Sequence, residues 1–166
     1  KRFSVTPVKF SSFVMAAFTV TRDLQKEKSD FILINISGEI TDIGIVKNNI
    51  LHQSTSFPMG TNTTLRKIAS GMNSSLSEAK SFLSLFKDGH ASESVTQVLD
   101  PLIMSLRLDW RNQFQESLAS LSNDISIPSL IYMTVDKDLE NFFIEVIQDE
   151  QFSQYALTES KFKIVF

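Results

Sequence analysis

Apolar and polar positions alternate along the chain with the two spacings that helices and strands require. Apolar residues recur every three or four positions over Phe10–Leu24, which predicts a helix, and the polar stretch Gln25–Asp30 predicts a loop after it. The next segment, Phe31–Ile36, is nearly continuously apolar, rich in β-branched residues, and ends at Ser37-Gly38. That pattern is typical of a buried central strand followed by a turn.

Two further strands are predicted at Thr41–Val46 and Ile50–Ser56. They flank Asn48-Asn49, and because asparagine tolerates a positive φ, this pair suits a tight hairpin turn. The chain therefore starts its sheet with three antiparallel strands. Phe57–Gly60 then predicts a turn that leads into a helix.

Three helices are predicted in the middle of the chain. Thr61, Asn62 or Thr63 is expected to cap a helix through Met72, with Leu65, Ile68 and Ala69 on its buried face. Ser75 and Glu78 have the spacing of a capping box for a helix through Phe86. The apolar spacing over Val95–Ser120 predicts a long amphipathic helix, with Pro101 in its first turn or at a kink.

A strand at Leu130–Thr134, a helix at Leu139–Ile147 and an edge strand at Phe162–Phe166 complete the pattern. The order predicts one α/β domain over residues 1–166, with a mixed sheet flanked by helices. Because the chain begins without Met and soon enters an apolar segment, we expect it to be a fragment of a longer protein.

The composition excludes several kinds of partner and site. With 42% hydrophobic and 21% charged residues, a net charge of −3 and scattered basic residues, the chain indicates a soluble domain without a nucleic-acid surface. The absence of cysteine excludes disulfides and thiolate chemistry and favours the cytoplasm. His52 and His90 lack partners at ligand spacing, so no metal site is predicted.

Phenylalanine is unusually frequent, at 14 residues. Most of these side chains are expected in the core. The alternative is an exposed interaction patch among Phe82, Phe86, Phe142, Phe143 and Phe152.

The strand, hairpin and turn together resemble the second-lobe phosphate region of the actin-like ATPases, whose bacterial members include FtsA and PilM. The segment Ile34–Ile43 lies over that family's pattern D-I-G-G-G-T-T-D-I, and Phe57–Gly60 over its F/I-P-x-G turn. The positions that match the first pattern are Ile36, Gly38, Thr41, Asp42 and Ile43. This resemblance implies one lobe of a two-lobed, ribonuclease H-like fold that binds ATP and Mg²⁺.

If nucleotide binding is retained, the resemblance assigns it to residues at three motifs: Ser37, Gly38, Thr41, Asp42, Gly60 and Thr134. Three of them also have structural uses. Thr41 suits a strand, Asp42 a cap or a solvated position, and Gly60 a tight turn.

The nucleotide motifs depart from the family at several places. The family's acidic residue that organises the metal falls at Asn35, and two glycines of the phosphate turn fall at Ser37 and Glu39. An amide is a poor replacement for a carboxylate ligand, and a carboxylate at Glu39 would repel phosphate.

The adenosine side departs as well. The family's Glu and Lys at the ribose fall at Lys80 and Leu83, and its paired glycines fall at Val135 and Asp136. A charge is reversed, a hydrogen-bonding side chain is lost, and a close approach of the backbone is blocked. We expect no catalytic residues.

Two functions follow as hypotheses from the resemblance. The first is a non-catalytic scaffold of a membrane-associated machine of the cell-division or type IV pilus type. It would bind a protein partner or itself and reach the inner face of the membrane only through partners. The alternative is an ATPase that still binds ATP with Mg²⁺ and hydrolyses it slowly. Chance similarity of a soluble α/β domain is the third possibility.

Overall fold

The computed structural model describes residues 12–24, 30–122, 126–148 and 162–165. Within these residues the elements follow in the predicted order. They are α1 (Phe13–Leu24), β1 (Phe31–Ser37), β2 (Ile40–Lys47), β3 (Ile50–Phe57), α2 (Thr61–Gly71), α3 (Leu76–Lys87), α4 (Glu93–Ser122), β4 (Leu130–Val135), α5 (Glu140–Gln148) and β5 (Lys163–Val165).

The strands form one sheet in the order β3-β2-β1-β4-β5. The pairs β1/β2 and β2/β3 are antiparallel, whereas β1/β4 and β4/β5 are parallel. The predicted mixed sheet with an antiparallel three-stranded start is thereby confirmed. Strand β1 lies at the centre because it is apolar on both faces, and its first six residues are all buried.

The two faces of the sheet carry different layers. On one face Ile32, Ile34 and Ile36 belong to the main core, which α2–α5 cover. On the other face Phe31 and Leu33 pack with Phe18 of α1. Because side chains alternate along a strand, Asn35 and Ser37 must project on the α1 face, at the carboxyl end of β1.

The start of α2 differs from the prediction. Its N-cap is Gly60, which has no side chain to act as a cap, so neither Thr61, Asn62 nor Thr63 occupies that position. The N–H of Asn62 instead donates to the backbone oxygen of Gly38, at 2.8 Å. A carbonyl from the β1–β2 turn thus satisfies one of the free N–H groups at the helix start.

Other boundaries move by a few residues. The capping box of Ser75 and Glu78 is confirmed at the start of α3. Pro101 lies inside α4 rather than in its first turn, because the helix already begins at Glu93. The predictions for Phe10, for residues 25–29 and for Phe152 lie outside the described residues.

The described phenylalanines that the sequence left open belong to the core. Phe142 and Phe143 are buried, and Phe82 and Phe86 are partly buried against the main cluster. The core interpretation is therefore confirmed for these four residues. Of the helices described, none has the length and apolar character that crossing a membrane requires.

Candidate functional site

Three of the predicted site residues meet at the carboxyl end of β1. Asn35 lies opposite Asp42 on β2 and opposite Thr134 on β4. Directly opposed residues project on the same face of a sheet, and residues two apart on a strand do so as well. Asn35, Ser37, Asp42 and Thr134 therefore form one polar cluster on the α1 face, beyond the apolar contacts that α1 makes.

The side-chain amide of Asn35 holds this cluster together. Asn35 is only 5% exposed, and its Nδ2 donates to Ser37 Oγ at 3.0 Å and to Asp42 Oδ2 at 3.2 Å. Both amide protons are thereby engaged. Asp42 is half-buried and accepts this bond, so it is neither a helix cap nor simply solvated as the sequence suggested. A carboxylate in place of Asn35 would have no proton to donate.

The two glycines hold the β1–β2 turn against the start of α2. Gly38 has a φ of +47°, in the left-handed region that glycine adopts at little cost. At Gly60, a Cβ would lie 2.5 Å from the backbone oxygens of both Ser37 and Gly38. This contact between backbones requires glycine at position 60 whether or not a phosphate binds.

The carboxylate of Glu39 is bound to the first turns of α2. It accepts from Thr63 Oγ1 at 3.0 Å and from Asn62 Nδ2 at 3.5 Å, and it pairs with both terminal nitrogens of Arg66. The hydrogen bonds from Arg66 are the main cause that lowers the pKa of Glu39 to about 2. The carboxylate of Glu39, at the end of the β1–β2 turn, is therefore directed to the start of α2.

Thr41 is separated from the polar cluster. Thr41 is adjacent to Asp42 in β2, so its side chain projects from the opposite face of the sheet. There it is completely buried against the main core. Its hydroxyl donates to the backbone oxygen of Met59 at 2.7 Å and accepts from Trp110 Nε1 at 3.2 Å. Thr41 therefore links β2, the turn before α2 and α4, and its hydroxyl has an internal partner in each direction.

Two of the four positions predicted for the adenosine side, Lys80 and Asp136, form an ion pair, and Lys80 also pairs with Asp138. Lys80 of α3 lies 2.5 Å from Asp138 Oδ2 and 3.8 Å from Asp136 Oδ2, in the loop between β4 and α5. The hydrogen bond to Asp138 is the main cause of the raised pKa of Lys80, and it lowers the pKa of Asp138 in return. Leu83 is buried in the main core, and Val135 packs against that core.

Sequence reasoning missed the residues that anchor these groups. Arg66 lies 27 positions from Glu39, and Trp110 lies 69 positions from Thr41. No local motif connects partners at such separations, because the register of the sheet and the packing of the helices bring them together. A polar residue in an otherwise apolar segment, such as Asn35 in β1, is the one local signal that could have indicated a polar cluster.

Magnesium bound with ATP needs carboxylate or water ligands beside the phosphates. Asp42 supplies one carboxylate to the polar cluster, and the neighbouring Asn35 supplies an amide whose protons are already bonded. Across the described residues, no group of three His, Cys, Asp or Glu side chains is placed to hold a metal ion. Asp42 is therefore the one carboxylate of this cluster that is available as a magnesium ligand.

No protein-family model matches the sequence, and no curated protein matches it either. Among solved structures, the chain is similar to the "PilM-PilN type IV pilus biogenesis complex", with a TM-score of 0.53 and 12% identity over 78% of this chain. It spans 37% of that chain.

Two further structures have lower TM-scores. One is the ethanolamine utilization protein EutJ from Carboxydothermus hydrogenoformans, with a TM-score of 0.47 and 17% identity over 79% of this chain and 43% of that chain. The other is Ta0583, an archaeal actin homolog, with a TM-score of 0.47 and 14% identity over 79% of this chain and 44% of that chain.

At 12% identity, the similarity to the pilus complex is one of fold. The antiparallel start of the sheet and the position of the β1–β2 turn agree with the resemblance found in the sequence. Which lobe the chain represents, and whether a second lobe exists, stay predictions. The chain has the fold of the actin-like ATPases.

Proposed function

We propose that this chain is a non-catalytic actin-like scaffold or assembly piece in which nucleotide binding is weakened or lost. One observation carries the proposal: residues at the family's nucleotide positions make their contacts with one another. The amide of Asn35 bonds Ser37 and Asp42, and Lys80 pairs with Asp136 and Asp138. Such positions serve the fold rather than a ligand.

The charges of the side chains near the predicted phosphate position support this proposal. A phosphate at the β1–β2 turn would meet the carboxylate of Asp42 and, nearby, that of Glu39, whose lowered pKa keeps it ionised at neutral pH. Arg66, whose positive charge lies beside the turn, is already paired with Glu39. Binding an anion there would require breaking that pair or accepting unfavourable charge contacts.

The side chains at the predicted adenosine positions also support the loss of nucleotide binding, because they occupy the space that the nucleoside would need. A ribose between α3 and the β4–α5 loop would have to displace Lys80 from two carboxylates, while Leu83 offers no hydrogen bond. Val135 lacks the freedom of the family's glycine to bring the backbone close to a base. Loss at two separate places is more simply explained by a site no longer used than by one tolerated substitution.

The proposed setting is a membrane-associated machine of the pilus or cell-division type. The similar pilus structure is a complex of two proteins, which favours a role in partner binding. We propose that the protein works in the cytoplasm, at the inner face of the membrane, and contacts the membrane only through a protein partner or through its own assemblies.

Calorimetric titration of ATP with magnesium into the full-length protein, shown to be folded by circular dichroism, tests the proposal. We expect no saturable heat at high micromolar nucleotide. Saturable binding would overturn the loss of the site and make the slow ATPase the leading function.

A pair of variants sharpens this test. Glu39→Gly removes both the charge and the side chain at the third glycine position of the family pattern, whereas Glu39→Gln removes the charge alone. If an ATP site is retained, Glu39→Gly should bind ATP more tightly than the parent protein. If the site is lost, both variants should give the same flat titration as the parent.

A further inference from the structure

Strand β3 forms one edge of the sheet. In the part of the chain that the structure describes, β2 is its strand partner on one side and no strand pairs with its other side. An edge strand presents unpaired N–H and C=O groups, and these can add a further strand. The free edge of β3, Ile50–Phe57, can therefore form backbone hydrogen bonds with another strand.

This edge has fewer of the usual protections against pairing than the opposite edge does. Ile50–Phe57 contains neither a charged residue nor proline, whereas the opposite edge strand, Lys163–Val165, is short and carries an exposed lysine. Natural proteins protect edges with these features, together with bulges. The register of β3 shifts between Ile45 and Val46 of β2 and leaves His52 as the extra residue, so the regular edge is Gln53–Phe57.

The side chains along the regular edge are suited to an antiparallel partner. Ser54 and Ser56 are exposed on the α1 face, where they lie opposite Gly44 and Asp42. Thr55 lies opposite Ile43, on the face that the helices cover, and is half-buried. Hydroxyl-bearing residues form favourable cross-strand pairs in antiparallel sheets.

We propose that β3 pairs with β3 of a second copy of this chain, antiparallel across a twofold axis, so that the two sheets become continuous. A twofold contact brings each surface against itself, so any charged residue near the axis would face its own copy. The edge from Gln53 to Ser56 carries no charged side chain and therefore avoids this repulsion.

The proposal deepens the scaffold function by naming the partner, and it does not depend on whether nucleotide binding is lost. A single strand pair buries less than the ~1,200 Å² of a typical stable interface. We therefore expect a dimer that forms with increasing protein concentration. ATP titration and measurement of the dimer can fail separately, which keeps the two proposals distinguishable.

Sedimentation velocity of the full-length protein over a concentration series tests the contact. The parent protein should shift from monomer to dimer as concentration rises, and Ser54→Lys, which places a charge on the edge, should abolish that shift. Ser84→Lys adds the same charge at an exposed position on α3 and should leave it unchanged. A parent that stays monomeric, or a dimer insensitive to Ser54→Lys, overturns the proposal.

Cysteine crosslinking gives a second measurement that does not require weakening the dimer. Single cysteines at positions 53 to 56 are oxidised and compared with Ser84→Cys and with the parent protein. Antiparallel pairing brings each residue near its own copy only close to the twofold axis, so crosslinking should peak at one or two neighbouring positions. A uniform profile, or equal crosslinking at position 84, contradicts strand pairing.

Discussion

At the scale of single residues, the polar side chains near the carboxyl end of β1 are satisfied by one another. Asn35 and Thr41 are both buried, and the side chain of each makes two hydrogen bonds. A buried polar group without a partner costs about 1–3 kcal/mol. Substitutions at these residues should therefore affect stability strongly.

Asn35→Asp, which restores the family's acid, should lower the free energy of unfolding by about 2–4 kcal/mol at pH 7. The hydrogen bond to Asp42 is lost and the new carboxylate faces that of Asp42, whereas the Ser37 hydroxyl can rotate to donate to it. Such repulsion raises a carboxyl pKa in the folded state, so the folded protein binds the extra proton more readily. The loss of stability relative to the parent should therefore shrink as the pH falls through that raised pKa.

Urea unfolding at several pH values measures this effect. The double variant Asn35→Asp with Asp42→Asn reverses donor and acceptor and should recover most of the stability. If Asn35→Asp is as stable as the parent at pH 7, the amide does not hold the cluster together.

Thr41→Val keeps the shape of the side chain and should cost about 2–5 kcal/mol. The change leaves the backbone oxygen of Met59 and the Nε1 of Trp110 without the hydroxyl that bonds both. Thr41→Ser keeps the hydroxyl and should cost only about 1 kcal/mol, for the lost methyl. Chemical denaturation of both variants checks this, and equal losses would argue that packing alone matters here.

At the scale of elements, the β1–β2 turn and the start of α2 form a single junction. Gly60 touches the backbone of the turn, Asn62 donates to Gly38, and Glu39 reaches Arg66 on the next turn of the helix. These contacts set the position of α2 against the sheet. They also explain why a glycine, rather than a residue with a capping side chain, precedes the helix.

Gly60→Ala should destabilise the protein by about 2–4 kcal/mol, because the new methyl group would meet backbone atoms that cannot rotate away. Gly38→Ala is the matched control. A Cβ at Gly38 meets nothing within 4 Å, and its cost should come from the positive φ alone, about 1 kcal/mol. Thermal unfolding of both variants tests the ranking, and the reverse order would contradict the close contact at Gly60.

The ion pair between Glu39 and Arg66 should contribute to the pH dependence of the free energy of unfolding. Because the folded pKa of Glu39 is lowered from 4.5 to about 2, its contribution to stability is present above 4.5 and is lost as the pH falls towards 2. Both side chains are about half exposed, so salt should weaken the contribution.

An NMR titration of the Glu39 side-chain carboxyl measures this pKa directly. Arg66→Met should raise it towards 4.5, whereas Lys67→Met, which removes the neighbouring cation paired with Asp109, should leave it near 2. An unchanged pKa in Arg66→Met would exclude the pair as its cause.

At the scale of the whole molecule, the main core joins the sheet to α2–α5 around Trp110. This side chain is fully buried, stacks on Phe114 with ring centroids 4.9 Å apart, and contacts Phe57 and Phe143. It is the one tryptophan in the sequence. Its fluorescence therefore reports on the packing of α4 and α5 against β2 and β3.

Trp110 emission should be blue-shifted and protected from acrylamide in the folded protein. Because its contacts extend to several elements of one core, fluorescence and far-ultraviolet circular dichroism should follow the same urea transition. A fluorescence transition well before the loss of helical signal would show that α4 separates from the sheet before the domain unfolds.

More of the fold than of the candidate site could be predicted from the sequence. Element order, the hairpin at Asn48-Asn49 and the capping box at Ser75 all depend on neighbours within a few positions. The resemblance assigned Ser37, Asp42 and Thr134 to nucleotide binding, and that role stays a prediction. The separation of Thr41 from Asp42 could have been predicted, since adjacent strand residues face opposite ways.

By itself, the sequence determined the alternation of helices and strands, because apolar spacing and turn residues act locally. Only the tertiary structure decided that Gly60 caps α2, that Asn35 bonds Asp42, that Glu39 binds Arg66 and that β3 is left as an edge. Each of these depends on which strands are neighbours and in what register. That choice is made by packing of the whole core, which joins residues with no local relation in the chain.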